Sequence, residues 1–61
     1  MAMSKKDYVA MAAVIAKNYA VANSVDGRDA IREVALNMAG VFAKDNPRFN
    51  MNMFLKACGV A

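Results

Sequence analysis

The chain has 61 residues, 59% of them hydrophobic, with a formal charge of +3, one cysteine and no histidine. This length allows one domain, and a domain so small buries only about 60% of the surface of its unfolded chain, leaving a marginal core. Cys58 alone cannot form an intrachain disulfide, and without histidine the usual Cys/His metal clusters are excluded, so tight helix packing and self-association remain as reinforcement.

Met3 offers a second start, so Met1 and Ala2 carry no weight in assigning the domain. Ser4 sits where an N-cap would, Asp7 completes an imperfect capping box, and Met3 and Tyr8 occupy the staple positions on either side. These signals predict a first helix over about 5–22. Tyr8, Met11, Ala12, Ile15, Tyr19 and Ala22 recur along it as one apolar stripe. Val14 and Val21 lie away from that stripe, beside Ala10 and Ala13. They form a second apolar face that a monomer this small has too few elements to cover.

Residues 23–27, Asn-Ser-Val-Asp-Gly, make a polar connection short enough to set two helices antiparallel. Asp26 is the expected N-cap of a second helix over about 27–45, with Asp29 at its third position. Ile31, Val34, Ala35, Met38, Val41 and Phe42 form its expected buried stripe, and Glu33, Asn37 and Lys44 point the other way. Ala35, Ala39 and Ala43 make a strip of small residues that admits close approach by the first helix or by a second subunit. Gly40, which costs about 1 kcal/mol relative to alanine in a helix, points to close helix contact at that position.

The second helix is expected to stop at Asp45-Asn46-Pro47, because Asn tolerates the left-handed conformation and Pro disfavours a helical residue before it. A third helix over about 51–58 is marked at both ends. Asn50 is its N-cap, Phe49 and Phe54 its staple, and Gly59 its left-handed terminator with Val60 set against Leu55. No stretch alternates in the manner of a strand. The fold class expected is all-α: an antiparallel helical hairpin with a short C-terminal helix folded back on it, in an oligomer. Phe49, Phe54 and Leu55 would cover one end of the hairpin.

The longest uninterrupted apolar run, Tyr8 to Ala16, is nine residues, whereas a membrane span needs about 18–20. A lone thiol and the absence of a signal-peptide pattern suit the cytoplasm. Lacking histidine, the chain lacks the commonest general base near neutral pH. Cys58 falls in a last helical turn, where the dipole disfavours thiolate, so it reads as a packed residue. Asp26 and Asp29 have cap spacing rather than that of an acid/base pair, and Gly27, Gly40 and Gly59 are too dispersed to cradle a phosphate. No catalytic residue, cofactor or metal ligand is assigned, and the chain is not read as an enzyme.

Arg28 and Arg32 stand one turn apart, and Lys44, Arg48 and Lys56 cluster near the second turn and third helix. Asp29 and Glu33 interleave with the first pair, and no recognition helix follows a tight turn, so nucleic-acid binding is possible but not favoured. Tyr8 and Tyr19 are expected to pack their rings on the core stripe and reach water with their hydroxyls. Met11 and Met38 fall in core stripes. Met51 and Met53 do not, which makes them candidates for a contact surface.

Asn46-Pro47-Arg48-Phe49, then four residues, Phe54-Leu55, one residue and Ala57-Cys58-Gly59 form a pattern written NPRF-x4-FL-x-ACG. It resembles the C-terminal signature of a group of small, functionally uncharacterised tailed-bacteriophage proteins, which commonly have Asp where this chain has Asn50. The resemblance spans residues 46–59 and implies a phage-encoded accessory protein of the host cytoplasm, with no activity or cofactor to carry over. Arg48 is the part of the signature that capping and packing leave unexplained. It either bonds carbonyls of the second helix or meets an anion or acidic partner.

The leading functional expectation is a non-catalytic interaction module, a dimer or larger homo-oligomer engaging a host or phage protein. Its self-association or partner surface would include Val14, Val21, Met51 and Met53. The first alternative is an oligomer that sequesters a small anionic or nucleotide ligand as a counter-defence protein, through Arg48, Arg28, Arg32 and Lys56. The second is a weak nucleic-acid binder. No membrane partner is expected.

Overall fold

In a computed structural model, residues 3–61 are described and form three helices: α1 (Lys5–Val21), α2 (Val25–Asp45) and α3 (Met51–Cys58), with no strand among them. Met1 and Ala2, which precede the second start at Met3, lie outside the described residues. Each helix begins at a polar cap. The Asp7 carboxylate accepts the Ser4 backbone N–H at 3.0 Å and the Ser4 hydroxyl at 3.2 Å, which starts α1 where the capping pattern placed it. Met3 packs partly buried against the core, as its staple position requires.

The start of α2 departs from expectation. Ser24, not Asp26, is the N-cap, and its Oγ accepts the Gly27 N–H at 3.0 Å. Asp26 lies inside the first turn, where its charge still faces the positive end of the helix dipole. Gly27 leaves room for this cap, because a Cβ there would stand 3.0 Å from Ser24 Oγ and press on it. The connection between α1 and α2 therefore shrinks to Ala22, Asn23 and Ser24.

α2 ends at Asp45, as expected, but its cap differs in conformation. Asn46 has extended backbone, φ −137° and ψ 107°, rather than left-handed geometry. The preceding-proline restriction decided its conformation. Asn46 then serves the turn by hydrogen bonding: its N–H donates to the Phe42 carbonyl at 2.8 Å, its Oδ1 accepts the Arg48 N–H at 3.0 Å, and its Nδ2 reaches the Tyr8 hydroxyl at 3.4 Å. Tyr8 is buried, with its hydroxyl at the Asn46 amide.

Around that turn four rings meet. Tyr8 lies 5.1 Å from Phe42 and 4.7 Å from Phe49, and Phe54 lies 5.5 Å from Phe42 and 5.4 Å from Phe49, in the tilted and edge-on arrangements that aromatic quadrupoles favour. The Phe49–Phe54 contact is the expected staple. Asn50 Oδ1 accepts the Met53 N–H at 3.1 Å to start α3. Gly59, at φ +78°, ends it with the Val60 N–H bonded to the Leu55 carbonyl at 3.2 Å, the Schellman arrangement.

The core is small: Tyr8, Ala12 and Ile15 of α1, Ala35 and Ala39 of α2, and Phe54, Leu55 and Cys58 of α3. Ala35 and Ala39 are fully buried, so the alanine strip serves the chain's own packing. α1 meets α3 more extensively than it meets α2. The third helix therefore lies along α1 rather than closing only the end of a hairpin. Because α2 is held through alanines and the aromatic turn, its buried stripe is narrower than its sequence periodicity suggests. Val34 and Val41 are exposed, and so is Met11 of α1, contrary to expectation. Gly40 has nothing within 4 Å of an added Cβ, so no close helix contact explains it.

Candidate interaction surfaces

The packing leaves two recesses with different chemistry. The first is a depression of about 300 Å³ along the α1–α2 seam, lined by Val14, Ile15, Asn18, Ala30, Ile31 and Val34. No charged side chain is among these. Val14 is 61% exposed and Val34 52% exposed. Asn18 is the one polar member. Its Nδ2 donates to the Val14 carbonyl at 2.8 Å, which ties the amide to its own helix and leaves Oδ1 as an acceptor in an apolar setting. Val21, seven residues beyond Val14 and so on the same side of α1, is also exposed.

The second recess is a groove of about 500 Å³ between α1 and α3. Its α1 wall is Lys5, Tyr8, Val9 and Ala12, the i, i+3, i+4, i+7 face of the first two turns. Its α3 wall runs from Phe49 through Met53 to Ala57, and Arg48 enters from the turn. Phe49, just before α3, packs on Tyr8 in the first turn of α1, so the two helices begin at the same end of the groove. Lys5 is at that end on α1, and Arg48 is at that end just before α3. The backbone N–H of Arg48 is held by Asn46, while its guanidinium makes no hydrogen bond to an α2 carbonyl among the described residues. A purely structural role for that side chain in tying down α2 is therefore not realised.

The four basic residues singled out from the sequence do not converge. Arg28 Nε donates to the Ala22 carbonyl at 3.3 Å, capping the end of α1, and its guanidinium lies 6.0 Å from the Tyr19 ring centre. Tyr19 pushes Arg32 further above its already high value, with Asp29 adding to the effect. Both arginines thus attend the far end of α1 from Lys5 and Arg48. Lys56 is exposed on α3 and is not part of the groove wall. Of the two methionines, Met53 lines the groove and Met51 does not, although both are exposed.

Two groove residues, Lys5 and Val9, were not anticipated. Their spacing from Ala12 was visible in the sequence, but only the position of α3 shows which side of α1 becomes a wall. Cys58 is fully buried, and burial pushes its thiol above the ordinary value of 9.0, so it is not presented as a nucleophile. Among the described residues no group of His, Cys, Asp or Glu is placed to hold a metal ion, and no helix is long and apolar enough to cross a membrane.

Comparison with protein-family models, curated proteins and solved structures finds no match to this chain.

Proposed function

We propose that this chain is a non-catalytic interaction module that self-associates, most simply as a two-fold dimer, through the α1–α2 seam. The signature at its C-terminal end suggests a phage accessory protein engaging a host or phage protein. The observation that carries self-association is surplus apolar surface. Eight described residues are buried hydrophobics, while ten large apolar side chains are exposed.

Charge favours the seam over the groove as the self-association face. A two-fold contact sets like residues opposite one another, and in a chain of charge +3 the contact least opposed by repulsion is a neutral one. The seam lining has no charge, whereas the groove has Lys5 and Arg48.

Light scattering from micromolar to millimolar concentration tests this. The expected mass is twice the 6.6 kDa of the chain, reduced to one chain by Val14→Asp or Val34→Asp and unchanged by Met53→Asp on the other recess. A mass of one chain at every concentration refutes self-association. A dimer broken by Met53→Asp but not by Val14→Asp assigns it to the wrong face.

A further inference from the structure

We infer that the α1–α3 groove docks an acidic amphipathic helix of another protein, its carboxylates on Lys5 and Arg48 and its apolar side chains along Val9, Met53 and Ala57. This names the partner chemistry left open by the interaction-module proposal and rests on it, but it does not depend on self-association.

The shape comes first. Lys5 to Ala12 on one wall and Phe49 to Ala57 on the other each run about two helical turns, so the groove matches two turns of a docked helix presenting side chains at i, i+4 and i+7. Its walls are apolar, and Met53, 61% exposed, is a flexible thioether that can adapt to such side chains. The charge comes second. Both cations stand where the two walls begin, and no carboxylate belongs to the groove lining. The Asp7 carboxylate accepts from Ser4 and lies outside the groove lining. An apolar trough with two cations at one end is complementary to a helix that has an apolar stripe and acidic residues at one end.

Other occupants fit less well. A nucleic-acid backbone needs cations along the whole track and ring faces for stacking, whereas here the cations are confined to one end and the Tyr8 and Phe54 rings are buried against their neighbours. A second copy of this chain would bring a net charge of +3 to a groove that already has two cations.

The test uses the full chain, isotope-labelled for amide spectra, and two synthetic helices sharing one leucine face. One carries glutamates at one end and the other lysines at the same positions. The acidic helix is expected to bind saturably and shift the amides of Val9, Met53 and Ala57, whereas the basic twin does not bind. Lys5→Glu with Arg48→Glu should weaken the acidic helix about tenfold and allow the basic twin to bind. Equal binding of both helices, binding of neither at millimolar concentration, or shifts confined to Val14, Ile31 and Val34 overturns the inference. A chain that scatters as a monomer yet binds the acidic helix at the groove would refute the proposed dimer and leave this inference standing.

Discussion

A methyl group added at either of two glycines should change stability in opposite directions. Gly40 lies in the interior of α2 with helical backbone, and nothing stands within 4 Å of an added Cβ. Gly40→Ala therefore gains the full helix-propensity difference, about 0.8–1.0 kcal/mol, with no steric offset. Unfolding entropy of about 2.1 cal/mol/K per residue over the chain turns this into a rise in Tm of roughly 7 °C. Gly59 is at φ +78°, where a side chain costs about 1–2 kcal/mol, partly offset by a stiffer unfolded chain. Gly59→Ala should lose about 1 kcal/mol and lower Tm by a similar margin. Far-UV circular dichroism melts of both variants, repeated over a hundredfold range of concentration, measure the two signs. Destabilisation by Gly40→Ala at all concentrations would refute the packing around α2 described here. Destabilisation only at high concentration would show that a second copy covers that side of α2 instead of the seam.

Other substitutions separate alternatives in the same way. Ser24→Ala should lose about 1 kcal/mol in urea unfolding because the Gly27 N–H loses its acceptor, whereas Asp26→Ala should lose less, since only its interaction with the helix dipole goes. Phe54→Ala removes a buried ring that touches Phe42 and Phe49, a loss of about 3–5 kcal/mol against a total of roughly 3–9 kcal/mol for a chain this long, so its helical signal should largely collapse, while Phe54→Leu should remain folded. The Cys58 thiol is raised by burial, so above its ordinary value of 9.0 the unfolded chain releases a proton that the folded chain keeps. Stability should therefore fall as pH rises past that value, with a shallower fall in Cys58→Ala. Equal slopes for the two proteins in alkaline urea titrations would refute the assignment. Thiol reagents at neutral pH should label Cys58 only as fast as the chain opens.

The sequence by itself determined the elements whose stabilising partners lie within about five residues. Ser4 with Asp7, Asn50 with Met53, Phe49 with Phe54, and Gly59 with Val60 and Leu55 are local contacts, so their residue types and spacing suffice to place the start of α1 and both ends of α3. The start of α2 was ambiguous because Ser24 and Asp26 are both good caps two residues apart, and the choice goes to the one whose Oγ meets the Gly27 N–H. At Asn46 two local preferences conflicted, and the constraint from Pro47 prevailed over tolerance of left-handed backbone.

Tertiary structure alone decided which apolar faces remain uncovered and which cations share a recess. Helical periodicity marks a stripe as apolar, but it does not say how wide a neighbour covers it. With α3 only eight residues long and lying along α1, Val34 and Val41 stay at the surface although their spacing is that of a core. Arg28 and Arg48 have the same charge in the sequence. The hairpin carries Arg28 to the carbonyl end of α1, where Ala22 and Tyr19 hold it, and leaves Arg48 beside Lys5 at the groove, because bringing residues far apart in the chain together depends on packing and not on spacing.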